Sequence, residues 1–326
     1  MIAISGISSS LGISLSLKLA SKGIQVLGFA RRIDSVKKIL FHPLIQLQVA
    51  DLNDEVLMHS ICSKADVIVH LAALSTPWGK YADFYHINVE GTKSIIRAAR
   101  DSNIKRFIHV STPSIYFDYR DRLNILEEDT LPKRSVNAYA ATKKMAEEVV
   151  DLAFSEGLPS ITLRPRAVFG PHDKTLFPRV LKACQEGGVP SFSKKSPIID
   201  ITYLDNVAEA LWLAIKAPSA CLGQKYNITN GEPASLESIL RFLFDELSIS
   251  LKTRRVPYPL AYLTALLSEL KGYMTKKEPS LTRYGVGVLT YSQTLSIEKA
   301  KRELNYQPII SLNEGIRHYA NWLQAQ

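Results

Sequence analysis

Tyr139 and Lys143 stand four residues apart in the run YAATK, and Thr112 lies 27 residues before Tyr139 in STPSIY. An i, i+4 spacing places phenol and ammonium on one face of a helix, about 6 Å apart along its axis. A phenol titrates at about 10 in water, too high for a base at neutral pH. A neighbouring ammonium favours the phenolate and lowers that value, as does the positive ring of an oxidised nicotinamide. With Thr112 Oγ1 bonded to a substrate oxygen, Tyr139 would move a proton while hydride passes between a carbinol carbon and the nicotinamide. Taken alone, YxxxK recurs by chance and more often marks an exposed helical pair. It acquires meaning from the elements that precede it.

Those elements alternate. Short β-rich runs at 2–5, 25–30, 45–50, 66–72, 106–111 and 161–165 are separated by helical patterns. The helix carrying Tyr139 is expected over 137–155 and is ended by Gly157 and Pro159. This βαβ rhythm predicts an α/β fold, a parallel sheet covered by helices on both faces. Residues 1–169 read as a nucleotide-binding domain whose core is completed by strands after 170. Residues 170–326 read mainly as a smaller substrate-binding part, interlocked with the first.

The first strand runs directly into SGISSSLG. Gly6, Ser8, Ser9, Ser10, Leu11 and Gly12 thus form a tight turn at a helix N-terminus, where free N–H groups and the positive end of the macrodipole suit a pyrophosphate. The spacing Gly6, Ser9, Gly12 matches a GxxGxxG turn with serine at the middle glycine, which puts a Cβ where the backbone usually approaches phosphate most closely. The second strand ends in Ala30, Arg31 and Arg32, where selectivity for NAD would place an acid on the ribose hydroxyl. Two guanidinium forks suit a 2′-phosphate instead, so NADP is the expected cofactor, with NAD the alternative. A solvated loop arginine is the other reading of either residue. Asp51 and Leu52 follow the third strand, placed to meet the adenine, although a plain loop aspartate reads the same. After the fourth strand, Leu71, Ala72 and Ala73 let the backbone come close to a cofactor.

The series SGISSSLG, ARR, ADL, HLAA, NVEGT at 88–92, STPSIY, YAATK and LRPRAVFGP resembles the extended short-chain dehydrogenase/reductase family, the NAD-dependent epimerase/dehydratase family, over nearly the whole chain. The resemblance implies a Rossmann doubly wound sheet and a catalytic triad of Thr112, Tyr139 and Lys143, with Asn88 as a structural helper. It also implies Pro165, Ala167 and Val168 near the nicotinamide, and homodimers through paired helices. IYFDYRD is similar to the VFDGRD of the branch holding 3-beta-hydroxysteroid and sterol C4-decarboxylating dehydrogenases, with Tyr119 in place of its glycine. Segments 199–210, 278–306 and 307–316 resemble that branch as well. The RxGD clamp that many sugar-nucleotide enzymes set on the diphosphate is not evident between Arg283 and Lys299. The expectation is an NADP-dependent oxidoreductase interconverting a secondary alcohol and a ketone on an apolar, sterol-like or acyl, small molecule. A nucleotide-sugar epimerase or dehydratase is the alternative. A non-catalytic NADP(H)-binding sensor or scaffold is a third reading, opposed by the retention of Thr112, Tyr139 and Lys143.

Composition limits the remaining classes. The chain has 326 residues, 46% hydrophobic, with a formal charge of +9 that favours anionic ligands. No dense basic stripe with interleaved aromatics and no zinc-finger pattern points to nucleic acid. Cys62, Cys184 and Cys221 lie far apart without a CxxC, so neither disulfides nor a metal is expected, and a cytoplasmic setting fits. No GxSxG elbow suggests a hydrolase. His70 and His109 sit in apolar strands and read as core histidines; Asp200, Asp205 and Asn206 read as loop-orienting. The apolar stretch 256–270, interrupted by Thr264, Ser268 and Glu269, is too short to span a bilayer, which needs about 20 residues. It reads either as a buried helix or as a lid making peripheral membrane contact through flanking cations.

Overall fold

The apolar runs become strands because both faces of each are covered, which demands near-continuous β-branched and aliphatic side chains. In the computed structural model, which describes residues 1–173, 175–192 and 195–326, seven parallel strands form the central sheet: β1 (Ile2–Ser5), β2 (Val26–Ala30), β3 (Ile45–Val49), β4 (Val67–His70), β5 (Arg106–Val110), β6 (Ser160–Pro165) and β7 (Lys225–Ile228). Their order across the sheet is β7-β6-β5-β4-β1-β2-β3. The register aligns Ile4 with Gly28 on one side and Val69 on the other. The edge strand β7 comes from well beyond residue 170, so the nucleotide-type sheet is built by both parts of the chain.

Helices α1 (Ser10–Ser21), α2 (Glu55–Cys62), α3 (Gly91–Asp101), α4 (Ala138–Ser155) and α5 (Leu204–Lys216) cover the sheet. On one face Leu11, Leu15 and Leu19 of α1 and Val207, Leu211 and Ala214 of α5 pack on Ile4, Val69 and Ile108. On the other, Met58, Ile61, Ile95, Ala99 and Val150 of α2, α3 and α4 pack on Ala3, Phe29, Ile68 and Phe107. Because the strands are parallel, residues 6, 71, 112 and 166 all follow strand C-termini on one edge. The chain order reverses between β1 and β4, the place where such sheets open a ligand crevice.

The C-terminal part has its own core, in which α6 (Leu236–Glu246) and the C-terminal helix Leu312–Gln324 enclose Phe169, Phe177 and Tyr203. Before that last helix, α7 (Tyr258–Thr275) packs on the short α8 (Arg283–Val288), which reaches the turn after β5 through Tyr284 and Ser114. The reading of 256–270 as a buried helix is not borne out. Leu260, Leu263, Leu267 and Leu270 are exposed, whereas Ala261, Ala265, Glu269 and Gly272 face inward. Among the described residues no helix is long and apolar enough to cross a membrane.

Candidate active site

The turn after β1 is shaped by close approach. Gly6 has φ +73, and a Cβ there would meet Ala72 N at 2.8 Å and Ala72 Cα at 2.9 Å. Ser5 Oγ accepts from the Leu71 and Ala72 amides at 3.2 Å each, so the β1 and β4 turns are stitched together. Gly12 has no room either: its Cβ would lie 2.7 Å from Gly6 O. Ser9, at the middle position of the turn, is the N-cap of α1, its Oγ accepting from Gly12 N at 3.0 Å and donating to Gly6 O at 2.8 Å. The serine replaces a glycine by capping the helix, and its exposed side chain folds back on its own loop. The amides of Ser10 and Leu11, at the first two positions of α1, have no intrahelical acceptor. Ser8 and Ser10 are half-buried beside them. This constricted, donor-rich cradle fits a dinucleotide pyrophosphate.

Farther along the same edge, Arg31 and Arg32 are exposed, and neither has an ion pair with a described carboxylate. Asp51 is exposed and accepts from Asn53 N at 2.9 Å and Nδ2 at 3.1 Å, which makes it a turn-former as well as a polar group at the edge. Leu52 turns its side chain into the core against Gly91, leaving only its backbone for an adenine. Pro165 ends β6, and Ala167, at φ 44, swings the chain so that Val168 pairs with Thr202.

Asn137 starts α4, its Oδ1 accepting from Ala140 N at 2.8 Å. At the second position of the helix Tyr139 is partly buried next to Thr112, and one turn later Lys143 is almost fully buried. Asn88, in the π-helical turn Tyr85–Glu90, ties α4 to the β4 loop by accepting from Leu74 N (2.7 Å) and donating to Leu74 O (3.1 Å) and Thr142 Oγ1 (3.0 Å). Beneath α4, Arg164 and Glu147 form a bidentate pair at 2.9 and 2.6 Å, each about 3–4% exposed, which fastens the helix to β6.

The expected lowering of the phenol by Lys143 is not found. Burial pushes Tyr139 up to about 12, with Thr112 opposing and Tyr284 adding to the rise. Lys143 instead directs Nζ to Val110 O at 2.7 Å and to His109 Nε2 at 3.4 Å. Burial draws that ammonium down to about 8, against the pull of Glu147. His70 is held near 3 by burial and by Lys143, with Ser5 Oγ at 2.7 Å and Thr92 Oγ1 at 3.0 Å as partners. It is the satisfied core histidine that was expected. His109 is different: it is neutral and touches the lysine, and its Nδ1 has no partner among the described residues.

A cavity of about 90 Å³ opens beside Asn137, walled by Trp78, Phe84, Tyr119, Tyr273, Arg283 and Tyr284 among others. Tyr119 takes φ 61, the left-handed region a glycine would favour, and its ring fits because Gly287 opposite has no Cβ, which would lie 2.8 Å away. Arg283 is already committed, its Nε donating to Glu269 Oε2 and its backbone N to Oε1, both at 2.7 Å. Tyr284 OH and Ser114 Oγ are 2.8 Å apart, and Thr112 Oγ1 donates to Ser114 Oγ at 3.1 Å. Behind Tyr284 lies Arg166, buried beside Asp200, with Nε unpartnered among the described residues. A chain of polar groups therefore runs from Tyr139 through Thr112, Ser114 and Tyr284 to a buried cation. Sequence spacing gives no signal for Tyr284 or the Glu269–Arg283 pair, since α7 and α8 arrive from more than a hundred residues beyond Tyr139, whereas Asn137 is an ordinary N-cap residue two positions before it.

A family model described as the NAD dependent epimerase/dehydratase family matches residues 2–229. An uncharacterised protein of Escherichia coli is 37% identical, over 98% of this chain and 97% of its own. A 2-alkyl-3-oxoalkanoate reductase of Stenotrophomonas maltophilia is 31% identical, over 94% of both chains. A decarboxylating sterol-4-alpha-carboxylate 3-dehydrogenase of Schizosaccharomyces pombe is 30% identical, over 74% of this chain and 73% of its own. Among solved structures, UDP-glucuronic acid 4-epimerase of Bacillus cereus, in complex with UDP-glucuronic acid and NAD, superposes with a TM-score of 0.80 over 99% of both chains at 21% identity, a likeness of fold.

Proposed function

The chain belongs to the NAD dependent epimerase/dehydratase family, and from that premise we propose that it is an NADP-dependent reductase of a ketone on an apolar, acyl or sterol-like small molecule. The observation that carries this reading is the buried Tyr139 phenol beside Thr112, close to a cavity whose wall includes the rings of Trp78, Phe84, Tyr119, Tyr273 and Tyr284. With the phenol pushed up to about 12, Tyr139 holds its proton at neutral pH and can supply the acid that carbonyl reduction needs.

In that direction the nicotinamide, when bound, supplies hydride to the carbonyl carbon. Thr112 Oγ1 exchanges its bond to Ser114 Oγ for one donated to the carbonyl oxygen and holds that oxygen against Tyr139. Tyr139 gives its proton to that oxygen as negative charge grows there, so C=O plus hydride plus proton yields CH–OH and leaves a phenolate. Lys143, charged below about pH 8 and fixed on Val110 O, anchors α4 to β5 by a charge-assisted hydrogen bond and so holds Tyr139 in place. Bulk solvent then returns the proton.

Two features support the substrate class. Arg283, the guanidinium at the cavity, has its charge balanced by Glu269 through Nε, which weakens it as a clamp for a diphosphate. The names of the Stenotrophomonas and Schizosaccharomyces relatives both put a carboxylate on the carbon next to the reacting one. Arg166, buried behind Tyr284, supplies a cation on that side of the site. For the cofactor, the exposed Arg31 and Arg32 and the absence of an acid at Ala30 favour the 2′-phosphate.

The test is NADPH oxidation measured against 2-alkyl-3-oxoalkanoates, 3-oxosteroids and UDP-sugars. Reduction of an acyl or steroid ketone is expected, abolished in Tyr139→Phe with NADPH binding retained. Epimerisation of a UDP-sugar, or unchanged turnover in Tyr139→Phe, would overturn the proposal.

A further inference from the structure

We propose that the outward face of α7 docks the protein on an anionic lipid bilayer beside the mouth of the substrate cavity. Leu260, Leu263, Leu267, Leu270 and Met274 follow one another at intervals of three and four residues and are 52–85% exposed. An ordinary surface helix buries such a stripe and exposes its small and polar residues. Here Ala261, Ala265 and Gly272 face the protein, and Glu269, the acidic residue of α7, is spent on Arg283. A contiguous stripe of this kind marks a contact surface, unlike singly scattered apolar side chains.

Charge identifies the occupant. Lys252, Arg254 and Arg255 precede the helix, and Lys271, Lys276 and Lys277 close it; all six are exposed, and none has an ion pair with a described carboxylate. The nearby Glu278 is engaged by Arg179. An apolar stripe with cations at both ends complements acyl chains flanked by anionic headgroups. A second copy of this chain is a poor fit. Two α7 helices side by side would set cations against cations whether they ran parallel or antiparallel, because both ends carry the same sign.

The helix lies on the surface rather than across it, since it is too short and interrupted to span a bilayer. Glu269 on its inner side and the more exposed Tyr273 line the cavity, and Tyr273 meets Trp78 with ring centroids 5.2 Å apart. Docking would therefore bring the entrance to the lipid. Docking stands on the helix itself; the passage of an apolar ketone from lipid to cavity rests on the function proposed above.

The experiment is co-sedimentation of the full chain, without substrate, with vesicles of phosphatidylcholine alone and of an equimolar phosphatidylcholine–phosphatidylglycerol mixture. Affinity for the mixture should be about tenfold higher or more and should fall with added salt. The combination Leu263→Ser, Leu267→Ser and Leu270→Ser should abolish binding while leaving the melting temperature and NADPH affinity in place. Lys276→Glu with Lys277→Glu, confined to the exposed end, should weaken binding to the mixture even if the leucine variant fails to fold. Wild-type protein that remains in the supernatant with anionic vesicles at low salt overturns the proposal. So does a concentration-dependent dimer that the leucine substitutions dissociate. Vesicle binding without turnover of any ketone would instead count against the substrate reading alone.

Discussion

Replacing Gly6 by alanine probes whether the close approach of the β1 and β4 turns, rather than loop flexibility, makes the cofactor cradle. The new Cβ would lie 2.8 and 2.9 Å from the Ala72 backbone, and no flexible side-chain end is there to give way. An L-residue at φ +73 costs about 1–2 kcal/mol. Forcing a methyl into packed backbone adds roughly 1–3 kcal/mol. A combined loss of about 2–5 kcal/mol corresponds to a melting point lower by about 3–7 °C in a chain of this length. Relief can come only by moving residues 71–72 or the turn itself, so NADPH affinity should fall with stability, by about tenfold or more for a displacement that breaks one charge-assisted phosphate hydrogen bond. Scanning calorimetry and a fluorescence titration with NADPH measure both. Gly6→Ala protein with an unchanged melting point and unchanged NADPH affinity would show that the two turns are not in contact as described, and the cradle argument would fall with it.

Arg31→Ala combined with Arg32→Ala should weaken NADPH binding about tenfold or more and NADH binding hardly at all; equal losses in the two titrations would remove the 2′-phosphate assignment. Lys143 titrates near 8 and the buried Asp200 beside Arg166 at about 6, so kcat/KM for ketone reduction should be level between the two and decline as pH rises through 8, while the Tyr139 proton stays on until about 12. Lys143→Met should lower the plateau and erase the limb near 8; a limb that persists in the variant assigns it to another group. Tyr284→Phe deprives Ser114 Oγ of a partner 2.8 Å away and should lower kcat about 5–10-fold without changing NADPH affinity. A change confined to cofactor affinity would place Tyr284 elsewhere in the mechanism.

Much of the candidate site was legible in the chain because its parts are local. Thr112 ends a strand, and Tyr139 and Lys143 share one helix face. Gly6 to Gly12 bridge a strand and a helix, and parallel strands must bring their C-terminal ends to one edge. What could not be read depends on segments that meet only in three dimensions. Ser114 and Tyr284 are 170 residues apart, and their contact gives the polar chain its second half. The departure at Tyr119 is accommodated by Gly287, which no spacing connects to it.

Two reversals show the same limit. Helical periodicity in 256–270 specifies which residues share a face but not which face is covered, because burial is decided by what packs against the helix; in α7 the small residues face in and the leucines face out. Spacing likewise brings Lys143 near Tyr139 along α4 but says nothing of direction or dielectric. The amino-acid sequence by itself determined the family and the residues on which the proposed reaction rests, through residue identity and local spacing. Only the tertiary structure decided the direction in which Tyr139 shifts, because burial raises the phenol to about 12 while the lysine is directed to a backbone carbonyl.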